Sequence, residues 1–447
     1  MSEDTVFALS SPVGGAIAIV RITGSGAKDA LERVFRCKNA PEHRVMNYGH
    51  VIDPESGETI DSAMACFLKA PATYTGEDMA EIYIHGSRVI AKRTLSVLSR
   101  FLRPAEGGEF TKRAFMNGKL DLSQAEAVMD VISSVTEQGA RMAEEQLEGS
   151  IGSGIKDIED RLIDILSGVE AALDYPDELE EDTVSSLENE LAPIIDKLDY
   201  LIRGGNAARI FREGAAVAIL GAPNAGKSSL FNALMGTERA IVTAIPGTTR
   251  DTLEETLDIC GAPVRITDTA GIREGADEAE RIGVERAKKA GERADLILIA
   301  IDGTKPIDEE SRALIAAANR GEYKKCILIF TKADKADFMP HENGENCAAL
   351  SPIAVSSVTG EGIEELKERM AALLLTKEAE SALVTNSRHI HALAEAKAAL
   401  ETADAAMGTD LAAADIRTAL YALGQITGRE VTSDVIERIF SRFCVGK

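Results

Sequence analysis

No stretch of the sequence approaches the ~20 consecutive apolar residues that cross a bilayer, which argues against an integral membrane protein. The opening Met1-Ser2-Glu3-Asp4-Thr5 is acidic where a secretory or mitochondrial leader is basic. Cysteine clusters are missing as well. Cys37, Cys66, Cys260, Cys326, Cys347 and Cys444 are widely spaced, with no Cys-x-x-Cys among them. Zinc and disulfide scaffolds are therefore not expected, and free thiols in a reducing cytoplasm are. Positive charge is scarce. Against 73 acidic residues stand 49 basic ones, a net charge of −24. That balance disfavours non-specific binding to nucleic acid or anionic membrane, although it leaves room for a local basic site. No period of 20–50 residues indicates a solenoid.

What is present suits a soluble globular chain. Its 447 residues are 45% hydrophobic and 27% charged, enough for about three domains. The acidity is uneven. Residues 1–118 carry 14 basic and 14 acidic side chains, whereas residues 119–210 carry 7 and 22. The first segment mixes β-type runs, such as Ala16–Ile22 and the alternating Glu81–Ile84, with an amphipathic stretch at Val89–Leu102, and predicts an α+β domain. From Leu120 to Ile210, apolar residues recur at helical spacing, as at Leu162, Ile165, Leu166 and Val169. Residues 211–376 switch to short, wholly apolar runs at Ala215–Leu220, Leu296–Ile301 and Cys326–Phe330, as in a parallel sheet covered on both faces. Residues 377–447 return to an Ala-rich helical pattern. Similar composition on either side predicts one discontinuous helical bundle, 119–210 with 377–447, interrupted by an α/β insert.

Gly221-Ala222-Pro223-Asn224-Ala225-Gly226-Lys227-Ser228 fits G-x-x-x-x-G-K-[ST], after a strand-like run and before the helix-like Ser229–Met235. Backbone N–H groups from Asn224 to Ser229 are expected to curl around phosphate oxygens, with Lys227 reaching the β/γ phosphates and Ser228 ligating Mg²⁺. Asp268-Thr269-Ala270-Gly271 follows the apolar Val264–Thr267, placing Asp268 to face Mg²⁺ through water and the glycine to approach the γ-phosphate. Thr331-Lys332-Ala333-Asp334 follows another strand. Asp334 can accept from guanine N1–H and its exocyclic amine, which adenine does not offer, and Ser356-Ser357-Val358 is placed to touch the base edge. In order and spacing these motifs predict a guanine-nucleotide domain. Between them lies Pro246-Gly247-Thr248-Thr249-Arg250-Asp251, where Thr249 is expected to close over the γ-phosphate and give its hydroxyl to Mg²⁺.

With their flanks, these residues resemble the MnmE (TrmE) family of tRNA-modification GTPases. The resemblance runs end to end. It includes Gly14-Gly15, Arg21-Ile22-Thr23-Gly24, Thr75-Gly76-Glu77-Asp78 and Gly108-Glu109-Phe110-Thr111-Lys112-Arg113-Ala114-Phe115. It continues through Lys119-Leu120-Asp121-Leu122 with Gln124-Ala125-Glu126, Asp174-Tyr175-Pro176-Asp177-Glu178 and the closing Phe443-Cys444-Val445-Gly446-Lys447. The resemblance implies a multidomain α/β fold: an N-terminal folate-binding and dimerisation domain (1–118), a discontinuous helical domain (119–210 and 377–447) and an inserted Ras-like G domain with a doubly wound sheet (211–376). It implies a homodimer that works in a heterotetramer with an FAD-dependent partner, MnmG (GidA). Together they add a carboxymethylaminomethyl or aminomethyl group to C5 of the tRNA wobble uridine, using 5,10-methylene- or 5-formyl-tetrahydrofolate.

Carried over position by position, Arg21, Glu81, Lys119 and Lys447 contact folate, and Cys444 is a candidate nucleophile near that pocket. K⁺ is implied at a nucleotide-dependent dimer interface, held by the Asn224 side chain and the loop carrying Thr243, Ile245 and Thr248. Ile272 stands where Ras-like enzymes place a water-orienting glutamine. Taken alone, the carboxylates Glu274, Asp277, Glu278 and Glu280 rank equally for that task; the resemblance singles out Glu280. Two departures from the family pattern stand out. Thr331 replaces an asparagine whose amide braces the base loop, and Pro246 replaces an alanine in the potassium loop. The alternative, a ribosome-assembly GTPase like Era or Der, requires a KH-like module with Gly-x-x-Gly and basic flanks, which neither end of the chain displays.

Overall fold

The computed structural model describes residues 4–237, 256–267, 294–339, 352–380, 382–403, 408–441 and 443–446, with backbone alone at 176–186, 237, 256, 267, 378 and 380. Two compact units form. One comprises Met1–Met129, Leu147–Lys156 and Leu423–Lys447; the other comprises Asp130–Gln146 and Asp157–Ala422.

The first unit is built on strands β1 (Val6–Leu9), β2 (Ile17–Thr23), β3 (Phe35–Cys37), β4 (Met46–Ile52), β5 (Thr59–Leu68), β6 (Met79–His85) and β7 (Arg103–Pro104). They form one sheet in the order β3-β4-β5-β6-β2-β1-β7, antiparallel except where β7 runs beside β1. Helices α1 (Ala27–Val34) and α2 (Arg88–Leu98) cover one face. Strand alternation explains this: Ala18, Val20 and Ile22 on β2, with Ala80, Ile82 and Ile84 on β6, pack against Leu31 and Leu98 of the helices. Helix α2 stops at Leu98, four residues short of the sequence expectation. Pro104 drives the preceding Arg103 into extended backbone, where the pair joins β1.

The intervening residues of the same strands, Arg21, Thr23, Glu81 and Tyr83, point to the opposite face. Helix α3 (Glu109–Met116) covers one end of it, where Phe110 packs with Val6, Ala8 and Met79. The rest stays open, leaving Ile17, Met46, Tyr48 and Met64 exposed by 61, 44, 68 and 45%.

Past residue 120 the chain is helical: α4 (Leu122–Ser133), α5 (Glu137–Leu147), α6 (Ser150–Asp174) and α7 (Pro176–Glu213). Gly214, at φ 74°, ends α7 and leads directly into a second sheet. That sheet has strands β8 (Ala215–Leu220), β9 (Thr256–Ile259), β10 (Ala262–Thr267), β11 (Leu296–Asp302), β12 (Cys326–Thr331) and β13 (Ile353–Ala354). Their order is β13-β12-β11-β8-β10-β9, parallel except for β9. Its helices include α8 (Lys227–Thr237), α9 (Glu309–Asn319) and α10 (Ile363–Leu374). Ile297, Leu298, Ile299 and Ala300 are all buried, since both faces of β11 are covered.

The chain closes with α11 (Lys377–Glu380), α12 (Ser387–Thr402), α13 (Thr409–Thr427) and α14 (Ser433–Phe440). Helix α12 returns to α7, where Lys397 Nζ meets Asp199 Oδ1 at 2.6 Å. A Cβ at Gly205 of α7 would come within 2.9 Å of the Ile390 side chain on α12, so glycine makes room for that isoleucine. Helix α13 is tied to α6 by Arg417 and Glu170 at 2.6 Å. In the first unit, Phe440 and Phe443 pack on Leu122 and Ala125 of α4. The architecture is a multidomain α/β fold, with a P-loop-type domain inserted between helical segments.

Candidate functional sites

The phosphate-binding candidate forms where β8 ends. At Gly221 a Cβ would sit 2.2 Å from the Ala300 carbonyl oxygen of the neighbouring strand, so only glycine lets the chain turn here. Asn224 (φ 63°) and Gly226 (φ 86°) adopt left-handed backbone and reverse the loop before α8 begins at Lys227. Ala225 is buried, while Asn224, Ser228 and Ser229 are exposed. Lys227 Nζ donates to the carbonyl oxygens of Gly221 at 2.7 Å and Ala222 at 2.9 Å, which holds the ammonium within the arc of the loop. A helix N-terminus, a ring of backbone N–H groups and a cation can together receive a polyphosphate.

The base-reading candidate lies beyond β12. Asp334 Oδ1 accepts from the buried Ser356 hydroxyl at 2.7 Å, which fixes the carboxylate's orientation. Ser356 Oγ in turn accepts from the N–H groups of Val358 (3.2 Å) and Thr359 (3.1 Å), while the Val358 side chain is 82% exposed. Ser357 is half-buried. Ala333 N–H bonds to the Val355 carbonyl at 3.0 Å, tying the two base loops together.

Thr331 corrects the expectation that losing asparagine removes the brace. Its hydroxyl, on a residue 2% exposed, lies 2.8 Å from the Ala225 carbonyl in the phosphate loop and 3.1 Å from that of Ile301. A β-branched hydroxyl can thus bridge base strand and phosphate loop without an amide. Thr243, Ile245, Thr248, Thr249, Asp268, Thr269, Ala270, Gly271, Glu280 and Lys447 lie outside the described residues.

The second candidate site lies on the open face of the first unit. Arg21 on β2 stands directly opposite Glu81 on β6, and Arg21 Nε donates to Glu81 Oε1 at 2.7 Å. Glu81 Oε2 accepts from the Tyr83 hydroxyl, so both carboxylate oxygens are engaged. Among the described residues Arg21 bonds in this way only through Nε. Burial, and then the Glu81 carboxylate it donates to, push the Tyr83 phenol up to about 12. Cys66, paired with Glu81 on the other side, is raised by burial and by that carboxylate. Tyr74 lies near enough to feel the Arg21 charge, but burial dominates and raises it; its hydroxyl meets Thr111 Oγ1 at 2.9 Å.

Beneath this surface the motifs at 75–78 and 108–115 hold each other. Arg113, 6% exposed, donates to Glu109 at 2.7 Å and to Glu77 at 3.0 Å. Thr23 Oγ1 bridges Thr75 Oγ1 (2.7 Å) and Glu77 Oε2 (3.1 Å). Burial opposes the charge on both Arg113 and Glu109, yet the mutual hydrogen bonds prevail. Arg113 is shifted up and Glu109, which also accepts from Arg103, is shifted down.

Lys119 is exposed and donates to the Pro71 carbonyl at 3.2 Å, within the same 70–78 loop. Cys444 is half-buried, and its carbonyl accepts from Gly108 N–H at 3.3 Å while Val445 bridges to Gly107. Arg21, Glu81 and Lys119 therefore gather around one sheet face and its covering loop. Cys444 sits at the N-terminal turn of α3.

The family model described as the GTP-binding protein TrmE N-terminus matches residues 5–119, and that described as the MnmE helical domain matches residues 122–444. The chain belongs to the MnmE (TrmE) family. A tRNA modification GTPase MnmE of Natranaerobius thermophilus is 38% identical over 461 residues, covering 100% of both chains. Its namesake in Geobacillus kaustophilus is 42% identical over 462 residues, covering 99% of each. Among solved structures, Aquifex aeolicus Era is 28% identical, covering 41% of this chain and 66% of that one, with a TM-score of 0.30.

Tyr83 and Tyr74 join the candidate site on this MnmE-family chain's first unit without having been singled out in the sequence, and Arg113, quoted there only within a family motif, holds Glu109 and Glu77 beneath it. Tyr83 was within reach, since it follows Glu81 by two residues on an alternating strand. Tyr74 arrives through a loop that no local pattern marks, and the motif that contains Arg113 does not say what its side chain holds.

Proposed function

We propose that this chain is a GTP hydrolase of tRNA modification, in which a guanine-nucleotide domain serves a folate-dependent step at the wobble uridine. The observation that supports the nucleotide part best is the pairing of the phosphate loop with an oriented Asp334, braced to each other through Thr331. Lys227 binds the β/γ phosphates and Asp334 selects guanine. Ser228, exposed in the first turn of α8, suits Mg²⁺ together with Thr249. Mg²⁺ and K⁺, when bound, neutralise charge that develops on the transferring phosphate. Asn224, whose side chain is exposed on a left-handed backbone, is the residue of this loop suited to K⁺, and the resemblance adds Thr243, Ile245 and Thr248 to that set. Glu280 orients the attacking water.

On the open sheet face, the Arg21 guanidinium and Lys119 suit the carboxylates of a tetrahydrofolate, with Glu81 and Tyr83 toward the pterin, and the resemblance adds Lys447 as a further cation for them. Cys444 lies near that pocket. The exposed Ile17, Met46, Tyr48 and Met64 support self-association through this unit. The resemblance implies an FAD-dependent partner, MnmG, and the net charge of −24 suits an arrangement in which that partner supplies most of the basic surface for tRNA. Comparing hydrolysis in KCl and NaCl tests the potassium requirement, and equal rates exclude it. Titration with 5-formyl-tetrahydrofolate should saturate and should weaken about tenfold in Arg21→Ala, the loss of a charged hydrogen bond. Nucleoside analysis of tRNA from a deletion strain decides the whole: fully modified wobble uridines refute the assignment.

A further inference from the structure

Asp302 ends β11, next to the strand that runs into the phosphate loop. Its two oxygens do different things. Oδ1 accepts from Thr304 N–H at 3.1 Å and from the Thr304 hydroxyl at 2.7 Å, which locks the carboxylate's rotation. Oδ2 meets Lys332 Nζ at 2.6 Å. Lys332 is the lysine of the base-reading motif, and its backbone is left-handed (φ 64°), so the side chain leaves β12 in a direction the strand would not give it. The Asp302 side chain is only 12% exposed and that of Lys332 34%, so solvent screens the pair incompletely. Burial works against the Asp302 charge, but the bonds from Lys332 and Thr304 hold its carboxyl below the usual range. Nothing in a plain strand-to-loop connection requires a half-buried ion pair at this point.

We propose that Asp302 is a positioning residue of the guanine-nucleotide site, acting through Lys332. The carboxylate anchors the ammonium and stretches the lysine's apolar stem along the base loop. Asp334 and the stem are thereby set before nucleotide arrives. With the Thr331 hydroxyl on the phosphate loop, this second tie replaces what a bracing amide would do alone. A long, flexible lysine is costly to order at the moment of binding, and pre-ordering it removes that cost.

The proposal rests on the guanine-nucleotide function above, and the full-length chain tests the two separately. Asp302→Asn keeps the shape and the acceptor for Thr304 but loses the charge facing Lys332. GDP dissociation, followed with a fluorescent analogue, should quicken about tenfold, and KM for GTP should rise by a similar factor while kcat stays within about twofold. Asp302→Glu, which restores the carboxylate, should recover part of the loss. The double variant Asp302→Asn/Lys332→Met should be no weaker than Lys332→Met alone, because one residue acts through the other. Asp337→Asn, on an exposed part of the following loop, should change nothing. Unchanged or tighter GDP binding in Asp302→Asn overturns the proposal, as does full additivity with Lys332→Met or an equal effect from Asp337→Asn. If the parent protein does not prefer GTP to ATP, the guanine-nucleotide function itself fails; if it does and Asp302→Asn behaves like the parent, only the role of Asp302 falls.

Discussion

The two candidate sites are made of different material. The nucleotide site is largely backbone: a loop bent at Gly221, Asn224 and Gly226, a helix N-terminus, and a few side chains that brace the frame. The site on the first unit is largely side chain, a web of Arg21, Glu81, Tyr83, Arg113, Glu109 and Glu77 drawn from strands, a loop and a helix. A backbone site demands particular residues at consecutive positions and leaves a contiguous signature. A side-chain web can be assembled from distant positions and leaves little trace in any one stretch.

The contrast predicts different responses to substitution. Lys227→Ala should abolish hydrolysis, with kcat/KM lower by at least about a hundredfold, because the removed cation faces developing charge. It should leave folate titration unchanged, and a joint loss would mean that the sites are not separable. Arg113→Ala should destabilise the first unit by about 1.5–3 kcal/mol, since Glu109 and Glu77 each lose a charged hydrogen bond while Arg103 and Thr23 still hold them. Denaturant unfolding reads this out, and nucleotide affinity should hold within about twofold. Thr331→Val removes one buried hydroxyl and leaves the Ala225 carbonyl short of a donor, at about 1–3 kcal/mol, seen as weaker GTP binding with unchanged folding of the first unit.

The smallest effect is alkaline. The Tyr83 phenol is raised from 10.0 to about 12 in the fold, so its contribution is fully present below pH 10. That contribution is lost as pH rises through 10 to 12, where the unfolded chain ionises first. Tyr83→Phe should flatten the fall in stability over this window, measured by unfolding at stepped pH.

Legibility followed the same division. Strands β8, β11 and β12 lay close to their expected positions because continuous apolar runs admit few alternatives. The end of α2 did not, since the apolar pattern continues to Leu102 while the backbone turns after Leu98 and brings Arg103–Pro104 alongside β1. Arg21 and Glu81 emerged only through resemblance, being 60 residues apart. Their meeting depends on β2 and β6 being neighbours in register, which no local periodicity encodes. Asp302 was invisible for a similar reason. Its partner lies 30 residues away on the next parallel strand.

The sequence by itself determined the phosphate-loop motif, the candidate base-reading Asp334, the apolar central strands and the acidity concentrated on residues 119–210. Each depends on residue type at fixed spacing or on composition alone. Only the tertiary structure decided that Thr331 restores the brace its identity had put in doubt, that both Glu81 oxygens are engaged, by Arg21 and Tyr83, and that Asp302 anchors Lys332. Those facts depend on which atoms come within hydrogen-bond distance, and that is set by strand order, register and backbone handedness rather than by proximity along the chain.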